Sequence, residues 1–350
     1  MTDEFIIKGR VTVAIPTFNR LPMLERAVES SRQQTYADIE IVISDNGSAD
    51  GTKEYIKSLT DSRIRVIQHS SNLGMVRNWD SCLSQATGEY ILLLSDDDYF
   101  QDTHALTKFV DALERGVPLK RLVVSAVSIV KAHAANSTIS GIPTPSSSPN
   151  DSRSRANPGK LSESTTTVLS SFEALSEALE GRLNVLPCAT MIYTADLRAL
   201  GGYGAFGAKL AVDTCVWQSI CIKTGGLKII NEKLLVYSLH QSESTASIEL
   251  WGRDQQIVHQ LALDLSDKYL QPAEISQLRK LQESAARRLP MSVIKRNLQF
   301  SKKYTFGKLI RDIWNYRSRI ASSLVFFYLP RMLRKPAAHA FKYIRTRGNL

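Results

Sequence analysis

Three consecutive aspartates, Asp96, Asp97 and Asp98, closely follow a short apolar run at residues 90–94. An apolar run of this length without polar alternation predicts a strand in the middle of a parallel sheet. Adjacent carboxylates repel one another at neutral pH unless a cation or hydrogen-bond donors compensate their charge. Ligands of open α/β sheets bind where strands end, and hard divalent cations prefer oxygen ligands. The cluster therefore predicts a metal site, with the N-cap and turn of a helix near His104 as the alternative.

Strand-like and helix-like segments alternate on both sides of this run. The predicted strands cover residues 11–15, 39–43, 64–68, 90–94, 122–130, 189–193, 227–230 and 234–239. Predicted helices lie between most of them, and the chain beyond Trp251 has a helical pattern of apolar residues. Such alternation predicts an α/β fold with a mostly parallel, doubly wound central sheet that is flanked by helices.

The chain divides by composition into a main domain at residues 1–245 and a basic helical C-terminal extension at residues 246–350. Within the main domain, residues 132–167 are dominated by Ser, Thr, Pro, Asn and Gly, which cannot bury a core. We expect a flexible insertion there. A lid over the site and a tolerated surface insertion are both compatible with that composition.

Positive charge is concentrated at the C-terminal end of the chain. Residues 287–350 hold 16 Lys and Arg against one Asp, a net +15, so the rest carries −5 of the total +10. Residues 320–329 are apolar with basic flanks and too short to span a bilayer, which predicts a helix in the interface of an anionic membrane. A helix packed on the main domain is the alternative. Nucleic-acid binding is not expected, because no binding motif accompanies the charge.

The N-terminus has no signal-peptide pattern, and the four cysteines have no zinc-site spacing. Reduced thiols in a cytoplasmic protein are expected from these features. Together with the basic tail, they predict a peripheral protein on the inner face of the cytoplasmic membrane.

Four separated motifs resemble the nucleotide-sugar-binding half of family 2 glycosyltransferases, which have the GT-A fold. The motifs are Pro-Thr-Phe-Asn-Arg at 16–20, Ser-Asp-Asn-Gly-Ser at 44–48, Asn-Leu-Gly-Met-Val-Arg-Asn at 72–78 and Gly-Glu-Tyr-Ile-Leu-Leu-Leu-Ser-Asp-Asp-Asp at 88–98. Among these enzymes, the pattern is most similar to the abequosyltransferase-like transferases of O-antigen assembly. The resemblance covers about residues 10–245.

The resemblance implies which residues bind a nucleotide-diphosphate sugar. They are Pro16, Thr17, Asn19, Arg20, Asp45, Asn72, Arg77, Asp96 and Asp97. Asp45 would accept a hydrogen bond from a base N–H, and Arg77 would suit the diphosphate or base. An Asx-turn for Asp45 and a surface helix charge for Arg77 are the alternatives.

The resemblance also implies a divalent cofactor, Mg²⁺ or Mn²⁺, held by Asp96, Asp97, Asp98 and His240. Ser95 stands where many relatives carry the first Asp of the motif. Which of the three aspartates contact the ion is therefore left open.

Asp213 matches the second member of an acidic pair that supplies the general base, whereas Val212 departs from the first member. The alternative for Asp213 is a helix N-cap. The resemblance thus implies a metal-dependent inverting glycosyltransferase, which moves a sugar to a hydroxyl of a growing, lipid-linked cell-surface glycan. A nucleotidyltransferase and a non-catalytic sugar-nucleotide-binding protein of the same fold remain as alternatives.

Overall fold

The structure is a computed structural model that describes residues 6–115, 120–131, 166–239, 248–300 and 306–315. The strands are β1 (Ile7–Thr17), β2 (Ile39–Asp45), β3 (Ile64–Gln68), β4 (Gly88–Leu93), β5 (Tyr99–Phe100), β6 (Leu122–Lys131), β7 (Thr166–Leu169), β8 (Thr190–Tyr193) and β9 (Leu227–Leu239). The helices are α1 (Leu21–Arg32), α2 (Thr52–Ser58), α3 (Met75–Gln85), α4 (Ala105–Glu114), α5 (Ser171–Leu179), α6 (Thr194–Ala199), α7 (Val212–Lys223), α8 (Ile248–Tyr269), α9 (Pro272–Phe300) and α10 (Phe306–Asn315). Short 3₁₀ helices lie at Pro187–Ala189 and Tyr203–Phe206.

A central sheet in the order β3-β2-β1-β4-β8-β6-β9-β5 organises the fold, and β7 pairs with β9 beside this path. The four strands β3, β2, β1 and β4 run parallel to one another. In an all-parallel set, every carboxyl end lies at one edge of the sheet. The predicted α/β fold is confirmed, and its parallel part places the ends of β1, β2 and β4 side by side.

The other half of the sheet combines parallel and antiparallel pairings. Strand β8 runs antiparallel to both β4 and β6, whereas β6 and β9 are parallel. The two short strands predicted at 227–230 and 234–239 are one strand, β9, whose pairing with β6 shifts register near Ala126. A local irregularity of this kind breaks the apolar pattern in the sequence without ending the strand.

Alternation along β4 divides the core between the two faces of the sheet. Tyr90 and Leu92 belong to a cluster with residues of α1 and α4. Ile91 and Leu93 belong to a second cluster with residues of α3, α5, α6, α7 and α8. Both faces of β4 are therefore covered, which explains its continuous apolar sequence.

The C-terminal extension shares the core of the main domain. Val258 and Ala262 of α8 and Leu278 of α9 are buried in the same cluster as Val216 of α7. Within the described ranges, none of the helices combines the length and apolarity that crossing a bilayer requires. The division at residue 245 remains a prediction, and the described helices α8 and α9 are packed on the sheet domain.

Several predictions fall outside the described residues. His240, most of the predicted insertion and the apolar segment at 320–329 are among them. The last two residues of that insertion, Thr166 and Thr167, belong to strand β7 and pair with β9.

Candidate active site

The ends of β1, β2 and β4 bring three of the predicted motifs together. Thr17 is in register with Asp45 on the neighbouring strand. Its hydroxyl donates a hydrogen bond to Asp96 Oδ2 at 2.8 Å, beyond the end of β4. The parallel register thus joins residues that are 79 positions apart in the sequence.

The acidic cluster is balanced by one arginine. Arg20 Nη1 lies 2.9 Å from Asp96 Oδ1 and 3.4 Å from Asp97 Oδ2. Asp96 is almost completely buried, and burial raises the pKa of its carboxyl above the ordinary value while Arg20 opposes that rise. Arg20 therefore lies where a forked cation can contact both carboxylates and an incoming anion.

Asp98 is buried and contacts the end of β9. Its Oδ1 accepts a hydrogen bond from the Ser238 amide at 2.8 Å, and the Cys188 thiol bonds to its side chain. Burial, and then the charge of Asp97, raise the pKa of Asp98 above the ordinary value. The cluster is therefore tied to the end of β9, two residues before the predicted ligand His240, which lies outside the described residues.

Arg26 of α1 was not identified from the sequence. Its Nη2 donates to the Asp97 carbonyl oxygen at 2.8 Å and lies 3.3 Å from Ser238 Oγ. Its guanidinium stacks over the Tyr99 ring at 4.2 Å. Arg26 thus fixes the backbone of the acidic turn, and only its spacing from Arg20, the N-cap residue of α1, could have indicated this.

Asp45 has the surroundings expected of a ligand-binding carboxylate. It is fully buried, and its Oδ1 accepts a hydrogen bond from the Ser48 amide at 2.9 Å. This is the predicted Asx-turn geometry. Its Oδ2, however, is buried without a hydrogen-bond partner among the described residues. Because an unpaired buried acceptor is costly, this oxygen is a candidate acceptor for an N–H donor.

The loop after β1 is shaped by Asn19, whose φ of 53° lies in the left-handed region. Its amide donates to Ser48 Oγ at 2.8 Å, and its Oδ1 accepts from the Ala49 amide at 2.8 Å. Pro16 lies in β1 opposite Ser44 and holds the strand before this loop. The loops after β1 and β2 therefore form one hydrogen-bonded rim.

Asn72 extends that rim. Its Oδ1 accepts from Asn46 Nδ2 at 2.9 Å and from the Gly74 amide at 2.7 Å, which closes the turn before α3. Arg77 follows on the first turn of α3 and is exposed. Asn72 thus has a structural contact, whereas Arg77 presents its side chain to solvent.

Asp213 lies in the first turn of α7. Its side chain lines a cavity, and the other lining side chains are mainly apolar: Ile91, Leu93, Val185, Pro187, Thr190, Ile192, Tyr203, Val216 and Trp217. Burial in this cavity raises the pKa of Asp213 to about 6. Pro187 lines the cavity while the adjacent Cys188 contacts Asp98, so one short segment separates the two acidic sites.

A glycine-rich loop at residues 200–207 follows α6, and its Tyr203 lines this cavity. Asp80 of α3 accepts hydrogen bonds from the amides of Tyr203 and Gly204 at 2.7 and 3.0 Å. The Tyr203 ring packs edge to face on Trp79 at 5.2 Å. The loop is therefore held on α3, and Asp80 is a second residue that the sequence analysis missed.

The oxygen donors of the acidic cluster suit Mg²⁺ or Mn²⁺. Both oxygens of Asp96 accept bonds from Thr17 and Arg20, and Asp97 is the more exposed of the two, at 15% against 4%. Among the residues that the structure describes, no three acidic, His or Cys side chains converge as a metal cage. The cluster thus fits an ion that is bound through one or two carboxylates together with ligand oxygens.

Comparison with known proteins relates part of the chain to a known family. Residues 12–133 match the model of the glycosyl transferase family 2. A Campylobacter jejuni protein named GalNAc(5)-diNAcBac-PP-undecaprenol beta-1,3-glucosyltransferase is 38% identical over 92 residues, which cover 25% of this chain and 30% of that protein. The Escherichia coli beta-1,3-glucosyltransferase WfaP is 37% identical over 93 residues, 27% of this chain and 37% of WfaP. The chain spans about a third of the length of these curated relatives.

Solved structures share the fold. S. aureus TarS 1–349 in complex with UDP aligns with a TM-score of 0.56 and 15% identity, over 90% of this chain and 82% of TarS 1–349. The mannosyltransferase PcManGT from Pyrobaculum calidifontis, in complex with GDP-Man and Mn²⁺, aligns with a TM-score of 0.51 and 17% identity, over 97% of this chain and 83% of that one. These similarities confirm the predicted GT-A fold.

Proposed function

Because this chain carries a glycosyl transferase family 2 domain at residues 12–133, we propose that it transfers a sugar from a nucleotide-diphosphate donor to a hydroxyl of a lipid-linked glycan. The observation that carries this proposal is the juxtaposition of Asp45, Arg20 and the acidic cluster at adjacent strand ends. Ligands of open α/β sheets bind at such strand ends.

The donor nucleotide would lie along the rim formed by the loops after β1 and β2. The unpaired Asp45 Oδ2 would accept a base N–H, which uracil and thymine both offer. Arg20 and the exposed Arg77 would contact the diphosphate. Arg20 would then contact both the acidic cluster and the donor.

The chemical step would use Asp213 as general base. Its carboxylate would take the proton of the acceptor hydroxyl, while that oxygen attacks the anomeric carbon and the nucleoside diphosphate leaves with the bonding electron pair. Attack from the face opposite the leaving group inverts the anomeric configuration. With a pKa of about 6, Asp213 is still mostly deprotonated at neutral pH. The raised pKa also makes its carboxylate a stronger base than an ordinary aspartate.

Asp97 and Asp98 would hold the divalent ion together with the donor, and His240 is proposed as a further ligand. When bound, Mg²⁺ or Mn²⁺ supplies positive charge against the negative charge that develops on the leaving diphosphate.

The acceptor class is proposed from the names of the relatives, since the C. jejuni and E. coli enzymes are both named for undecaprenol-linked substrates. The basic C-terminal region, with 16 Lys and Arg in residues 287–350, would hold the enzyme on the inner face of the cytoplasmic membrane.

Release of nucleoside diphosphate tests the proposal. We expect UDP-glucose or another nucleotide sugar to be consumed only with Mn²⁺ or Mg²⁺, and faster when a GlcNAc-diphospholipid acceptor is present. Chelation with EDTA should abolish release, and added Mn²⁺ should restore it. Pyrophosphate release from a nucleoside triphosphate would indicate a nucleotidyltransferase instead. Nucleotide binding without turnover of any donor would indicate a non-catalytic binding protein.

A further inference from the structure

The segment that leads into α7 takes its hydrogen-bond acceptor from another helix. Its N-cap residue, Ala211, has no side-chain acceptor. The amides of Lys209, Leu210 and Ala211 instead donate to one oxygen, Asp254 Oδ2, at 2.9, 2.6 and 3.1 Å. Asp254 lies on α8 and is fully buried. A carboxylate of the C-terminal extension therefore satisfies three backbone amides of the turn that leads into Asp213.

Packing alone does not account for Asp254. Val258 and Ala262 already join α8 to the core cluster of α7. The second oxygen, Asp254 Oδ1, is buried without a hydrogen-bond partner among the described residues. Burying a carboxylate with an unpaired oxygen costs stability, and an apolar side chain would avoid that cost. What an apolar side chain would not supply is an acceptor for three consecutive amides.

Two carboxylates thus hold the segment that precedes α7. Asp80 binds the amides of Tyr203 and Gly204, and Asp254 binds the amides of residues 209–211. Asp213 follows only two residues after the second attachment, and the Cys215 amide bonds back to the Ala211 carbonyl at 3.0 Å. The orientation of the first turn of α7 depends on where that attachment is fixed.

We propose that Asp254 is a positioning residue, which fixes the turn at residues 209–211 and thereby the direction of the Asp213 carboxylate. This inference rests on the proposed role of Asp213 as general base. It makes the C-terminal extension part of the catalytic unit, because a residue of α8 sets the geometry of a group in the sheet domain.

Hydrogen–deuterium exchange tests the attachment without requiring turnover. In Asp254→Ala we expect amides of residues 209–211 and of Cys215 to exchange at least about tenfold faster, because they lose their acceptor or its support. Amides of residues 203–204 should exchange as in the wild type, because Asp80 still holds them. Asp254→Asn retains one acceptor oxygen and should lie between the two. Asp264→Asn, an exposed change on the same helix, is the matched control.

Steady-state kinetics test the positioning role. With UDP-glucose and a GlcNAc-diphospholipid acceptor, Asp254→Ala should lower kcat at least about tenfold, with partial recovery in Asp254→Asn and an unchanged affinity for UDP with Mn²⁺. Faster exchange with unchanged kcat would overturn the proposal, as would unchanged exchange in Asp254→Ala. If the wild-type enzyme turns over no donor, the proposed function fails. The exchange at Cys215 then decides alone whether Asp254 orients the first turn of α7.

Discussion

Asp213 is a half-buried residue that lines a cavity, and burial raises the pKa of its carboxyl to about 6. A general base acts only when it is deprotonated. We therefore expect kcat/KM to rise with pH, with a midpoint near 6, and to level off above it. Asp213→Asn should abolish transfer and leave the affinity for UDP nearly unchanged. Rates measured across this pH range, with titration calorimetry on the variant, check both. Substantial turnover by Asp213→Asn would exclude it as the base.

The same pKa shift also affects stability: activity should rise with pH, whereas the contribution of Asp213 to stability should fall. A carboxyl whose pKa is higher in the folded than in the unfolded protein binds its proton more tightly when folded. Its contribution to stability is therefore present at low pH and is lost as pH rises from about 4 to about 6. Asp213→Asn cannot titrate, so its unfolding free energy relative to wild type should increase over this range. Urea unfolding at several pH values measures the difference, and a constant difference would contradict the shift.

Asp45 offers a second test at the scale of one residue. Asp45→Asn should keep the bond from the Ser48 amide through its remaining oxygen but replace the unpaired oxygen by an amide donor. We expect UDP to bind about tenfold to a hundredfold more weakly, as for loss of a hydrogen bond to a charged group. Calorimetry measures the affinity, and thermal unfolding shows whether the fold is kept. An unchanged affinity would mean that Asp45 only closes its turn.

Residues whose role is local to a motif could be predicted from the sequence. Asp45 and the acidic cluster end apolar runs, so the sheet edge follows from the strand pattern. Arg26 and Asp254 could not be predicted in the same way. Each is a polar residue on a helix, and its partner becomes a neighbour only when helices pack, 71 positions away for Arg26 and 43 to 45 for Asp254. Ser95 departs from the Asp that many relatives carry at this position. Its backbone carbonyl accepts a hydrogen bond from the Asp98 amide and so shapes the acidic turn.

Among the elements, the loop before α7 shows most clearly where glycine is required. Gly202 has φ 80° and ψ −167°, a conformation that only glycine adopts readily, and an added Cβ would lie 2.6 Å from Asp80 Oδ1. Gly202→Ala should lower the free energy of unfolding by about 1–3 kcal/mol, the usual cost of such strain. Gly252 of α8 has open space around it, so Gly252→Ala should raise stability by about 0.5–1 kcal/mol. Urea unfolding of both variants tests the contrast, and equal effects would refute it.

Elements were predictable where their apolar period was unbroken. The strand at β4 was predicted to start within two residues of its observed start. Strand β9 was divided in two, because Asn231, Glu232 and Lys233 interrupt its apolar run where the pairing with β6 shifts. The antiparallel direction of β8 has no local signal, since direction depends on the path of the preceding chain rather than on side-chain pattern.

At the scale of the whole molecule, the basic C-terminal region predicts that the protein binds to anionic membranes. Truncation after Thr305 would remove ten Lys and Arg. We expect the truncated protein to lose sedimentation with vesicles that contain anionic lipid, because each basic residue near the surface contributes about 1 kcal/mol. Neutral vesicles and high salt are the controls, and both should weaken binding of the full chain. Retained sedimentation of the truncated protein would assign membrane binding elsewhere.

The strand order also has a consequence for how the chain is synthesised. Strands β3, β2, β1 and β4 come from the first 93 residues, but β4 receives its second neighbour, β8, only at residues 190–193. While the ribosome makes the intervening segment, the nascent chain exposes the unpaired edge of the mostly apolar strand β4, which favours aggregation or chaperone capture. Nascent chains arrested near residue 130 should therefore be protease-sensitive and chaperone-bound, and those arrested beyond residue 230 should not. Equal sensitivity at both lengths would show that the edge is protected in another way.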